Sequence, residues 1–281
     1  MHAPTQYLPA AYSLIAVGVW GTSDFLGGTG VRRVNAFLFT ALVHVSGMIV
    51  VTAVAVATHA PFPNMISVCW SLLAGLLGGL SLVFFYRALS RGNMGLIAPV
   101  AAVLSAAIPA LATAAREGLP TVRHLLGFVL AGIGVWLIAR TEGSSGRPEG
   151  LGVAVLAGAG FAGFYLCTHQ AGNASALWVA SCSRLASFLV TGGIVLFGRL
   201  LRSMPARVSA IAVVAGILDV GGSVAFVRAS QTGRLDDAVV LSSLYPAVTV
   251  LLARMILHEH FSRGRTIGIV AALVAVPMIA G

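Results

Sequence analysis

Between Asn35 and Tyr86 the chain carries not one Asp, Glu, Lys or Arg. At roughly 20 apolar residues per helical crossing, that stretch is long enough to traverse a bilayer twice. The rest of the chain agrees: 58% of residues are hydrophobic and only 9% charged, against about 25% charged in a typical soluble domain. Backbone amides in lipid must find partners within the chain, so only helices or closed barrels span it. The runs here are long and unbroken rather than alternating over about ten residues, which selects helices over an outer-membrane barrel. The expected class is an all-α polytopic membrane protein.

Short clusters of Arg, Gly, Pro and Asp divide the apolar runs into ten predicted transmembrane helices. They lie near residues 8–28, 35–57, 67–89, 95–115, 121–139, 151–169, 177–198, 209–229, 236–257 and 266–280. The longest polar connection, RTEGSSGRPEG from Arg140 to Gly150, lies near the midpoint and divides the chain into residues 1–142 and 143–281. The halves resemble each other. YRALSRGNMGLIAPV from Tyr86 and SAAIP from Ser105 correspond to VRASQTGRLDD from Val227 and SSLYP from Ser242. Pro109 thereby matches Pro246, Glu117 matches Glu259, and Gly21 matches Gly163. A duplicated unit of five spans is odd in number, so the two copies must point in opposite directions across the membrane. That is the inverted-repeat plan on which alternating access is built, around a central cavity.

The formal net charge of +9 does not indicate a nucleic-acid partner. All 17 basic residues are Arg, dispersed between spans with neither a basic stripe nor an aromatic ladder. One set of loops holds Arg32, Arg33, Arg87, Arg91, Arg140, Arg147, Arg199, Arg202, Arg207, Arg254, Arg263 and Arg265, and the opposite set only Arg116, Arg123, Arg228 and Arg234. By the positive-inside rule the richer set is cytoplasmic, which leaves both termini outside. Cys69, Cys167 and Cys182 form no C-x-x-C, so neither a disulfide framework nor a zinc site is expected. His258-Glu259-His260 is not H-E-x-x-H, and residues two apart do not share a helix face, so no metal is expected there either. No G-x-G-x-x-G follows a strand and no Walker loop is present, so no nucleotide cofactor is expected.

Ionisable groups inside spans are expensive and each needs an explanation. Counting about 1.5 Å of rise per residue puts Arg184 roughly 12 Å and Asp219 roughly 16 Å below the same membrane face, on adjacent antiparallel helices. They are expected either to pair or to handle substrate or protons. Asp24 follows Trp20-Gly-Thr-Ser near the end of the first span, where it either meets Arg32 or Arg33 across the turn or lines a cavity entrance. Trp20, beside Gly21, is either packing or a cavity wall, Tyr86 and Tyr165 join an apolar ring to a hydroxyl, and with Ser242 and Tyr245 they complete the candidate cavity residues. His44 is expected as a helix–helix hydrogen-bond donor. Asp236 and Asp237 open the ninth span, where an Asp can cap free amides and meet the positive end of the helix dipole. Pairing with Arg228 or Arg234 accompanies that reading.

The segments WGTSDFLG (Trp20 to Gly27), YRALSRGNMGLIAP (Tyr86 to Pro99) and REGLPTVRHLLG (Arg116 to Gly127), with Pro109, Pro246, Glu259 and Gly268, resemble the drug/metabolite transporter superfamily, specifically bacterial EamA-type permeases. The resemblance covers nearly the whole chain. It implies a ten-helix bundle in the cell inner membrane, carrying small metabolites such as amino acids and their relatives, often outward. It also implies cytoplasmic termini, against the arginine count. The expected partners are a small-molecule substrate, membrane lipids and, for coupling, protons; monomer and homodimer both stay open. A membrane-embedded enzyme acting on lipid, or a membrane interaction protein, is the alternative.

Overall fold

The computed structural model describes residues 7–90, 94–139, 151–257 and 263–280. Within them the chain is helical throughout, in eleven elements: α1 Leu8–Gly30, α2 Ala36–Ala57, α3 Met65–Ser90, α4 Met94–Glu117, α5 Val122–Ala139, α6 Leu151–Gln170, α7 Ala176–Phe197, α8 Ala206–Thr232, α9 Leu235–Ser242, α10 Tyr245–Leu257 and α11 Arg263–Ala280. Four of these contain stretches long and apolar enough to cross a membrane: Ala36–Ala57, Met65–Arg87, Ala176–Phe197 and Ala206–Thr232.

Local chemistry sets the ends. Asn35 caps α2 by accepting from the amides of Phe37 (2.9 Å) and Leu38 (3.4 Å), and Asn64 accepts from Ser67 at 2.8 Å as α3 begins. Pro9 sits in the first turn of α1, where a missing amide hydrogen costs nothing. Gly118 and Gly172 take φ of +88° and +66° just after α4 and α6, a conformation that residues with a Cβ adopt reluctantly.

The ninth predicted span is not one helix. It breaks at Ser243 and Leu244 into α9 and α10. Pro246 has no amide to bond back to Ser242 and its ring crowds that carbonyl, so the α-helical ladder stops and restarts with Tyr245.

The packing has a two-fold pattern. The principal contacts are α1 with α8, α3 with α6, α2 with α7, α5 with α11, α3 with α7, α2 with α8, α4 with α6, and α1 with α9 and α10. Exchanging each helix of the first half for its counterpart in the second reproduces the same set. Matching glycines occupy matching contacts. Gly75 on α3 lies against the Ser183 carbonyl of α7, and Gly216 on α8 lies against the Val43 carbonyl of α2. In lipid there is no hydrophobic drive between helices, so close backbone approach at small residues is what holds them together. The outward faces are apolar, with Ile49, Val56, Leu189 and Val214 exposed, as contact with acyl chains requires.

Candidate functional site

Arg184 on α7 is 5% exposed and Asp219 on α8 is 7% exposed. An arginine is never neutral, and burying a charge is tolerable only with close partners. Arg184 Nη1 lies 2.9 Å from Asp219 Oδ2, and its Nη2 donates to Ser223 Oγ at 2.5 Å. Nη1 also reaches His44 Nδ1 on α2 at 3.3 Å. Arginine can only donate, so towards Arg184 the His44 ring accepts at Nδ1. The Asp219 carbonyl in turn accepts from Trp20 Nε1 and from Ser223 Oγ, each at 3.0 Å. One turn away, Ser23 on α1 donates to the Ala215 carbonyl at 2.9 Å. Four helices, α1, α2, α7 and α8, thus converge on one charged pair.

Beside the pair is a cavity with about 50 Å³ open to water centres, room for a few waters at roughly 10–15 Å³ each. Its walls come from both halves: Trp20 and Asp24 of α1, Gly78 and Leu82 of α3, Phe161, Phe164 and Tyr165 of α6, Arg184, Asp219 and Ser223, and Tyr245 of α10. The aromatic wall is continuous. Tyr165 stands 4.5 Å from Phe226, 5.7 Å from Phe164 and 6.0 Å from Trp20, centroid to centroid. Gly222 makes room for it, since a Cβ there would strike the Trp20 indole.

Asp24 does not sit in the turn with Arg32 or Arg33. It is 8% exposed and lines the cavity, and among the described residues it makes no hydrogen bond or ion pair. It shares that space with Asp219, Tyr165 and Tyr245. Its placement follows from helix rotation: Trp20 and Asp24 are four apart and share one face of α1.

Of the other candidates, Tyr165 and Tyr245 line the cavity, whereas Tyr86 and Ser242 are not among its walls. Tyr86 is fully buried against Gly27 and Phe39, and the Ser242 hydroxyl is buried without a hydrogen-bond partner among the described residues. Gly21 is a contact point for α10: the Tyr245 carbonyl and Val248 abut it, and Thr249 Oγ1 donates to its carbonyl at 2.9 Å. Gly163, its match in the repeat, abuts Leu77 of α3 instead. Pro109 and Pro246 are both buried.

The Asp236–Asp237 pair splits its duties. Arg234 is the N-cap residue of α9, and its guanidinium grips Asp236 with two bonds of 3.0 Å. Asp236 also accepts its neighbour's amide at 3.1 Å. Asp237 lies 3.9 Å from His124 Nε2 on α5. The pairing expected with Arg234 is formed, and the capping is confined to the Asp237 amide. Glu259 and the His258–His260 stretch lie outside the described residues, as does the side chain of Glu117.

Sequence reasoning passed over Leu82, Phe161, Phe164 and Ser223 and left Gly78 and His44 off the list of site residues. Gly78 had a signal: it precedes Asp219 by the spacing that relates Arg87 to Arg228. His44 had one too, at the repeat spacing from Arg184.

A family model described as the EamA-like transporter family matches the chain twice, over residues 8–140 and 149–281. A comparison with curated proteins finds no match. Among solved structures, one crystal structure superposes with a TM-score of 0.76 at 20% identity, over 96% of this chain and 95% of the other. At that identity the likeness shows a shared fold alone.

Proposed function

The chain belongs to the EamA-like transporter family, and from that premise we propose that it is a secondary transporter working by alternating access. In this reading α9 and α10 together form one broken crossing, giving ten spans in two inverted five-helix repeats in the cell inner membrane. The cargo is a small polar or amphipathic metabolite, with amino-acid-like molecules first among candidates and export the expected direction. Protons are the candidate coupling ion.

The observation that carries this is the composition of the cavity walls. They are drawn from α1 and α3 of the first half and α6, α7, α8 and α10 of the second, so relative rocking of the halves changes access to the chamber. Irregular or charged elements at membrane depth are tolerated where they line such a chamber. The buried Arg184–Asp219 pair and the break before Tyr245 both sit at that boundary.

Saturable counterflow in proteoliposomes tests the reading: preloaded substrate should drive uphill exchange of labelled substrate. A metabolite panel giving only leak rates overturns it. Repeating uptake with and without an imposed pH gradient separates proton coupling from facilitated diffusion. For orientation, the arginine distribution favours both termini outside, whereas the family resemblance implies both inside. Protease access to a terminal tag on intact cells decides between the two.

A further inference from the structure

We propose that the cavity selects its cargo by an ammonium group, held at Asp24 within the aromatic wall, and that a carboxylate on the cargo is not required. This deepens the transport reading and rests on it.

Three observations converge. The first is an imbalance of charge. Asp24, Arg184 and Asp219 are the charged residues lining the cavity, and the arginine is held by Asp219 at 2.9 Å. One carboxylate therefore remains without a counter-ion, more than nine-tenths buried and without a hydrogen-bond partner among the described residues. A buried carboxylate in that condition is costly unless a cation or a proton joins it.

The second is the nature of the walls. Trp20, Phe161, Phe164, Tyr165 and Tyr245 surround the same space. Aromatic faces carry negative potential and attract ammonium groups, most strongly where water is excluded. They also accept the apolar body of a small amine.

The third concerns anions. Arg184 is the cationic side chain in the walls, and its terminal nitrogens are occupied by Asp219, His44 and Ser223. Its Nε is buried and has no hydrogen-bond partner among the described residues. A substrate carboxylate would compete with Asp219 for that one cation, and beside Asp24 and Asp219 it would add a third carboxylate against a single arginine. The site therefore favours a compact organic cation over an anion, and over a zwitterion of the same skeleton.

The test uses one branched side chain in three charge states: 3-methylbutylammonium, leucine and 4-methylpentanoate. Equilibrium binding to the purified full chain is measured by titration calorimetry, without need of flux. The expected result is binding of the amine about tenfold or more tighter than of leucine, with the acid weakest. Asp24→Asn should weaken the amine by about tenfold or more while Asp24→Glu keeps the preference. Leucine or the acid binding as tightly as the amine, or an amine affinity unchanged in monodisperse Asp24→Asn, overturns the proposal. If Asp24→Asn does not purify as a monodisperse species, the three-ligand comparison on the unaltered protein decides alone. Amine binding without counterflow leaves the proposal standing and sinks the transport reading. Counterflow of leucine or the acid without amine binding does the reverse.

Discussion

His44 and Arg184, 140 positions apart in sequence, meet nitrogen to nitrogen at 3.3 Å. They occupy corresponding places on α2 and α7, the two helices that pack against each other across the exchange of halves. Gly78 and Asp219 correspond in the same way on α3 and α8, and both line the cavity. The frame is thus repeated while its chemistry is not: the second half carries the ion pair, and the first carries a histidine that accepts from it and a glycine that leaves space.

Arg184 and Asp219 should be unequal to the sum of their single losses. Removing either partner leaves a buried charge and is expected to cost about 3–5 kcal/mol. Replacing both, as Arg184→Met with Asp219→Leu, should recover part of that stability. Thermal unfolding of the four proteins in detergent completes the cycle, and additive losses would show that the pair is not coupled.

Gly75→Ala should destabilise by about 1–3 kcal/mol, because its methyl would meet the Ser183 backbone of α7 and overpacking at a backbone contact has little room to relax. Gly18→Ala meets open space and should stay within about 0.5 kcal/mol of the parent. Parallel melts of the two variants make the comparison; equal shifts would remove the packing argument.

Trp20→Phe should cost about 0.5–1.5 kcal/mol of stability. The Asp219 carbonyl that loses the indole donor keeps Ser223 Oγ at 3.0 Å, so the low end of that range is expected. Substrate affinity should fall more noticeably, since the indole is part of the cavity wall. A melt and a binding isotherm on the same preparation separate the two effects.

Amine binding should weaken as pH falls, because protonation removes the Asp24 charge that holds the cation. The groups around it are Asp219 on α8, Tyr86 on α3, Tyr165 on α6 and Tyr245 on α10, with Arg184 on α7 committed to Asp219. Asp24→Asn should flatten the dependence while Asp24→Glu retains it. Titrations at several pH values read this directly, and an unchanged profile in Asp24→Asn would assign the dependence elsewhere.

How much of this was legible from residues alone depends on which quantity each residue type encodes. Apolar runs encode helix length, and rise per residue encodes depth. That was enough to bring Arg184 and Asp219 to one level on neighbouring helices. Helix rotation is encoded only when one face is polar, and spans such as α3 and α6 are apolar on every side. Tyr86 therefore gave no sign that it faces Gly27 and Phe39 rather than the cavity, and Phe161 and Phe164 looked no different from lipid-facing residues. The break at Ser243 and Leu244 was missed for a related reason: the apolar run continues through it, and Pro246 interrupts the hydrogen bonding without interrupting the hydropathy.

A carrier made of two interchangeable halves would, if those halves were chemically identical, rest equally in its two facing states. Here the ion pair sits on one side of that exchange and the lone Asp24 on the other. Swapping the conformations of the halves would ask His44 and Gly78 to do for α2 and α3 what Arg184 and Asp219 do for α7 and α8, and they lack the groups for it. On the alternating-access reading, the empty molecule therefore has a preferred side of the membrane to wait on, set by its own residues before any gradient is applied.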